Sequence, residues 1–373
     1  MKKSNKLSPS TSSPYLHWKS VQFNLRPLLE NPPASTKRSH EHCVYLAPRS
    51  PTEAIRLPRS PGARVQWQLA KAEPATKCST IDNGCVKAYG AATAQGLVRH
   101  SNEDRVGIVL NLAQPTDWVN GRWPCSSFFG VYDGHGGAGC AEFLRDNLHL
   151  YVIQDKAFPS DPKEAIRAGF EAAEQAFLSR SAGVDQSGSC AVVALVVDDT
   201  CYIANVGDSH AVLSSGRGTT VLPLTNDHTA SRENTCIQQQ EGCPPAQGRR
   251  VKRGRLSVSR AFGDVSSKLS NGGSLPKVLM AQPEIHSFKI TAETDCLILG
   301  CGSVFDCLTN QEMVQGAWRS LAQDRRLSVH QQCGAAVETI LRSSLNRRSL
   351  DNLTAVFVAF EGFAHHYEKI AKW

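Results

Sequence analysis

Residues 190–206, CAVVALVVDDTCYIANV, constrain the fold more than any other stretch of the chain. Eight consecutive apolar residues (190–197) run into Asp198-Asp199-Thr200, and a second strand-like segment, CYIANVGDSHAVLSS (201–215), follows at once. The apolar run is too short to span a bilayer. With the polar turn and the segment after it, the run predicts an antiparallel hairpin. FFGVY (128–132), DCLILG (295–300) and NLTAVFVAF (352–360) read as further strands.

Helices fall between these strands. DPKEAIRAGFEAAEQAFLSR (161–180) offers Asp161 as N-cap, Pro162 at the first helical position and Glu164 three residues after the cap. Ile166, Phe170, Ala173 and Phe177 then recur on one face. Thr309-x-x-Glu312 opens a second helix by the same logic, and residues 329–345 read as a third. Helices inserted among antiparallel strands predict an α+β domain: a β-sandwich of two packed sheets flanked by α-helices, in four layers α-β-β-α.

The formal charge of +7 is concentrated at one end. Residues 1–85 hold 13 Lys/Arg, 5 Asp/Glu and 10 of the 19 prolines, which leaves the rest of the chain near −1. That composition buries too little apolar surface to offset chain entropy. The expected division is a disordered basic Pro/Ser-rich leader (1–85), a folded domain (86–361) and a short C-terminal extension (362–373). Four Ser-Pro pairs in the leader (8–9, 13–14, 50–51 and 60–61) read equally as proline-directed phosphorylation sites or as the composition of a disordered tail. GRRVKRGR (248–255) carries five basic residues and reads as a rim attracting phosphopeptides or as a solvated basic strand. It has no interleaved aromatics to stack bases, so nucleic acid is not an expected partner.

Thirteen cysteines without a C-x-x-C pair point to reduced thiols, and so to the cytoplasm or nucleus. The leader has no acid before Glu30, which leaves organellar targeting as a weaker reading, opposed by Pro9, Pro14 and Pro27. No membrane span is expected, and the expected state is a monomer.

The chemistry lies in acids at strand ends. Asp133 follows FFGVY, Asp208 follows YIANVG, Asp351 precedes NLTAVFVAF, and Glu103-Asp104 sit in RHSNEDR. Each alone is an ordinary turn former. Converging on one sheet edge, they would repel unless a cation neutralised them, and hard oxygen donors suit Mg²⁺ or Mn²⁺.

Nine segments in order carry a resemblance: RHSNEDR (99–105), FFGVYDGHGG (128–137), ANVGDSHAVL (204–213), LTNDHT (224–229), LSVSRAFGD (256–264), PEI (283–285), LILGCGSVFD (297–306), TNQEMV (309–314) and DNLTAVFV (351–358). From about residue 86 to 361 the chain resembles the metal-dependent type 2C serine/threonine protein phosphatases. The resemblance implies a two-metal centre at one end of the sandwich and hydrolysis of phosphoserine or phosphothreonine by a metal-activated water. It implies Asp133 as the bridging ligand, the Gly134 carbonyl and Asp351 as further ligands, and Glu103 and Asp104 shaping the metal and water shell. Asp208 would hold a weaker third metal. Arg99 would bind phosphate, and His135 would protonate the leaving oxygen. A cysteine phosphatase is disfavoured, because the metal-activated water that the resemblance implies needs no Ser or Cys nucleophile.

One position departs from the family. LILGCGSVFD places Gly302-Ser303 where the resemblance implies Asp-Gly, so a carboxylate ligand is missing. Ser303 and Cys301 are poor substitutes, and Ser303 is expected to sit awkwardly if the turn needs a glycine φ. His210 stands where the family usually has Arg, and 230–255 lacks the usual double-glycine flap. Two readings follow. One is a phosphatase with one weakened metal site, acting on phosphoproteins. The other is a catalytically inactive pseudophosphatase that binds phosphoproteins or scaffolds signalling proteins.

Overall fold

The hairpin forms where the apolar run and its turn place it. Strand Gly188–Val197 pairs antiparallel with Thr200–Val206 from Val197↔Thr200 onward, and Asp198 takes φ 48° in the turn. The structure, a computed structural model, describes residues 43–46, 74–116, 118, 121–181, 184–229, 258–269, 280–323 and 326–371.

Among these residues thirteen strands, numbered along the chain, form two sheets. The first contains β1 (Cys43–Leu46), β4 (Arg105–Val109), β5 (Ser126–His135), β6 (Gly188–Val197), β7 (Thr200–Val206) and β11 (Glu284–Lys289), hydrogen-bonded in that order. The short β10 (Phe262–Gly263) adds to the start of β6. The second has the order β2 (Ala75–Cys78), β3 (Ala88–Ala94), β13 (Leu353–Ala359), β12 (Thr294–Gly300), β8 (His210–Ser215) and β9 (Thr220–Pro223). All the pairings between these strands are antiparallel. The helices are α1 (Gly139–Gln154), α2 (Pro162–Ser181), α3 (Val265–Leu269), α4 (Gly302–Cys307), α5 (Asn310–Gln323), α6 (Val329–Asn346) and α7 (Glu361–Ala371).

The four layers follow from the strand period of two. On β6, Val192, Ala194 and Val196 enter the core between the sheets with Phe129 and Val131 of β5. Ala191, Val193 and Leu195 point the other way, with Phe128 and Tyr132, into a second core under α1 and α2. The far face of the second sheet is covered by α5, α6 and α7 through Val314, Val337, Ile340 and Phe363. The helix signals hold: the Glu164 amide donates to Asp161 at 3.2 Å, and Thr309 and Glu312 cap each other at 2.9 and 3.3 Å.

The domain is longer at both ends than composition implied. Ala75–Cys78 lies before residue 86, yet it pairs with β3, and Cys43–Leu46 pairs with β4. Strand pairing is a long-range gain that proline counts do not register. At the other end Glu361–Ala371 is a helix of the domain rather than an extension: Phe363 is fully buried, 5.0 Å from the Phe357 ring. The rest of the leader through residue 73, with its Ser-Pro pairs, and the basic stretch 248–255 lie outside the described residues. No described helix is long and apolar enough to cross a membrane.

Gly90 sets how closely α6 lies on β3. A Cβ there would stand 2.2 Å from the Cys333 carbonyl oxygen, which is backbone and cannot rotate away. Gly90→Ala is expected to lower the urea midpoint by an amount worth about 1–3 kcal/mol at unchanged slope. An unchanged midpoint would show that helix and strand are not in this contact.

Candidate active site

Antiparallel strands that alternately end and begin at one edge bring sequence-distant acids together. Asp133 lies near the end of β5, and Asp104 immediately precedes β4. Asp208 follows β7 by two residues, and Asp351 precedes β13 by two. Strand β12 ends at the same edge, and Gly302 opens α4 there, its amide donating to Asp133 Oδ2 at 3.3 Å.

The cluster is electrostatically strained. Removal from water raises the Asp133 carboxyl well above the usual range, and the charges of Asp104, Asp208 and Asp351 raise it further, while the Gly302 amide opposes. Asp104, 1% exposed, is pushed up to about 6 by burial first and by Asp351 next. Thr354 Oγ1 donates to Asp104 Oδ2 at 2.7 Å and limits that rise.

Side-chain hydrogen bonds hold the edge together. The Asn352 amide donates to the carbonyls of Gln95 and Ser101 at 2.8 and 2.9 Å, and its Oδ1 accepts from the Glu103 amide at 2.9 Å. Asn102 reaches Thr93, which bonds Thr354, each at 2.8 Å. Gly134 is required by close approach: a Cβ there would lie 2.3 Å from the Glu103 carbonyl oxygen. The Cys301 thiol accepts from the Thr354 amide at 3.1 Å, and the Ser303 hydroxyl donates to the Asn352 carbonyl. Both side chains considered as substitute ligands are therefore engaged elsewhere. Ser303 lies within α4 and has no positive φ, so the expected awkwardness at that residue does not arise.

Two groups flank the acids. Arg99 Nη2 stands 2.6 Å from Asp351 Oδ2, and the pairing raises the guanidinium pKa. His135 Nε2 is 2.9 Å from Asp264 Oδ2. Asp264 is buried, takes φ 51°, and is fixed by its own amide donating to the Ser187 carbonyl at 3.0 Å. A Cβ at Gly188 would lie 2.3 Å from both His135 Nε2 and Asp264 Oδ2, so the pair exists because residue 188 is glycine. Sequence reading missed Asp264, although it lies inside the LSVSRAFGD segment. An acid after glycine reads as a turn, and only the fold sets it against His135. His210 stacks on Phe305 with centroids 4.5 Å apart and lies 2.7 Å from Asp227.

The donors suit a hard divalent cation in chemistry and charge: Asp104, Asp208 and Asp351 crowd a buried Asp133 and raise it. The coordination shell is not closed. Among the described residues no three His, Cys, Asp or Glu donors converge on one point. An amide faces Asp133 from Gly302, and Arg99 already neutralises Asp351.

A helix-flanked double sheet is an arrangement that known proteins share. The family described as Protein phosphatase 2C matches residues 89–353. A rice relative (Oryza sativa subsp. japonica), "Probable protein phosphatase 2C 45", is 35% identical over 274 residues, 73% of this chain and 87% of its own length. "Probable protein phosphatase 2C 22" of Arabidopsis thaliana is 32% identical over 274 residues, 70% of this chain. The match spans 66% of that relative, just under two thirds of its length. The crystal structure of serine-threonine phosphatase 2C from Toxoplasma gondii shares the fold at a TM-score of 0.54 and 19% identity, covering 77% of this chain and 99% of that one. The chain belongs to the protein phosphatase 2C family, which is metal-dependent.

The charge cluster has a measurable signature. Asp104 and Asp133 are raised in the fold above their unfolded value of about 3.9. Their ionisation therefore costs stability, a cost absent below about pH 4 and growing as pH rises through about 6. In EDTA, Asp133→Asn is expected to be more stable than wild type at pH 8 by more than the roughly 0.5 kcal/mol of a neutral surface change. The gap should shrink at pH 5. Denaturant titration at both pH values checks this, and a less stable variant at pH 8 would refute the crowding.

Proposed function

We propose that this chain is a divalent-cation-dependent protein serine/threonine phosphatase acting on phosphoproteins. The observation carrying the reading is the convergence of Asp104, Asp133, Asp208 and Asp351 on one sheet edge, flanked by Arg99 and by the His135–Asp264 pair, in a protein phosphatase 2C chain. Asp133, Asp351 and the Gly134 carbonyl would hold Mg²⁺ or Mn²⁺, with Glu103 and Asp104 shaping the water around it and Asp208 at the margin. Such an ion supplies water activation near neutral pH and neutralises phosphoryl charge.

The chain's own residues do the remainder. Arg99 is half-exposed and able to turn from Asp351 to phosphoryl oxygens, which a guanidinium matches in a bidentate fork. His135 is held by Asp264, which orients the imidazole to deliver a proton to the serine or threonine oxygen as it leaves. Asp264 is thus a positioning residue.

Hydrolysis of a phosphothreonine peptide across a Mn²⁺ titration tests the reading, beside calorimetry of ion binding. Cation-dependent turnover is expected, with His135→Ala lowering kcat by about 10²-fold or more. Ion binding without turnover at any concentration would favour the phosphoprotein-binding adaptor instead.

Gly302 gives a second test. A Cβ there would lie 3.3 Å from the Asp208 carboxylate, so Gly302→Asp adds a fifth carboxylate to the edge, beside Asp133 and Asp208. The expected result is lower stability in EDTA together with at least about tenfold tighter Mn²⁺ binding, since ligand charge sets cation affinity. Unchanged binding would show that residue 302 does not face the cation.

A further inference from the structure

At the far end of the second sheet from the acids lies a concavity of about 480 Å³ lined by Arg217, Gly218, Gln311, Gln315, Trp318 and Arg319. Strand β8 separates the two regions. Its first residue, His210, pairs with Gly300 at the acidic edge, and its last, Ser215, pairs with Thr294 at the opposite edge. Six residues of strand put roughly 20 Å between them. Gln311, Gln315 and Arg319 recur every fourth residue on one face of α5, and Arg217 approaches from the β8–β9 turn.

That turn is conformationally costly. Gly216, Arg217 and Gly218 take φ of 63°, 62° and 76°, three consecutive left-handed residues, and the middle one is not glycine. The fold enforces it. Asp295, 1% exposed, accepts from the Arg217 amide at 3.1 Å, the Gly218 amide at 2.8 Å and the Ser214 hydroxyl at 3.0 Å. Gly218 must lack a side chain, because a Cβ there would lie 2.6 Å from Trp318 Nε1. At Arg217 no such contact explains the residue type, and glycine would take its φ more easily. Both arginines are exposed, and among the described residues neither has a carboxylate partner. No acid lines the concavity.

We propose that Arg217 and Arg319, with Gln311, Gln315 and the Trp318 ring, form a docking site for a phosphorylated residue of a peptide segment, distinct from the acidic edge. Two guanidiniums on a concave face match a phosphate monoester dianion. Carboxamides can complete the remaining oxygen contacts, and the indole offers an apolar wall to the adjoining chain. Retaining a strained arginine where glycine would be easier is what a binding role requires. The site is read as binding, so it stands or falls apart from any hydrolysis at the acidic edge.

The test is fluorescence anisotropy of a labelled peptide carrying a non-hydrolysable phosphonate analogue of phosphoserine. The proteins compared are the full chain, Arg217→Gly, Arg319→Ala and Arg99→Ala, the last silencing phosphate binding at the acidic edge. Binding is expected to persist in Arg99→Ala and to weaken at least tenfold in Arg217→Gly and in Arg319→Ala. Arg217→Gly should also melt no lower than wild type, since glycine relieves the left-handed φ, so its loss of binding cannot come from misfolding. Binding that vanishes in Arg99→Ala and survives both other changes overturns the proposal. A peptide with glutamate in place of the phosphonate that binds equally well overturns the phosphate assignment.

Discussion

Like charges held close in a poorly solvated place are the constraint on which this structure turns. Burial raises both Asp104 and Asp133; Asp351 raises Asp104 further, and Asp104, Asp208 and Asp351 raise Asp133 further. Nothing in a chain brings such groups together spontaneously. The sandwich does so because its antiparallel strands end and begin at one edge, and because two apolar cores stabilise that arrangement against the local cost. The bonds from Asn352, Thr354 and Cys301 act against the tendency of the edge to splay. Stability is given up at the place where a cation and a phosphoryl group would be received.

Gly302 alters that balance. At position 302 this chain presents a backbone amide that donates to Asp133. With no side-chain charge there and one Asp133 oxygen satisfied, the edge is less repulsive than it would be with a fifth acid. Arg99 acts in the same sense by neutralising Asp351. The edge is thus partly paired within the chain, Gly302 to Asp133 and Arg99 to Asp351.

The His135–Asp264 pair shows how backbone geometry supports such chemistry. A glycine at 188 leaves the space, a left-handed Asp264 fills it, and the Ser187 carbonyl holds Asp264 there. None of these three residues would be singled out alone. Together they fix which way the imidazole of His135 faces.

Much of this was legible in the residues themselves. Period-two alternation and uninterrupted apolar runs encode strands and cores because burial acts locally on side chains. Capping at Asp161 and Thr309 encodes helix starts because the partners lie three residues away. The acids Asp104, Asp133, Asp208 and Asp351 were recognisable by their placement at strand ends and by family order. Tertiary structure alone decided the rest. The strands at 43–46 and 75–78 exist because distant partners accept their hydrogen bonds, and the helix at 361–371 belongs to the domain because Phe363 finds the core. Asp264 meets His135 across 129 positions of chain, Arg99 meets Asp351 across 252, and buried Asp295 bends the turn that carries Arg217. Sequence records the local terms, repeated every two or four residues, whereas contacts between far-separated segments depend on strand order and register, which no single stretch contains.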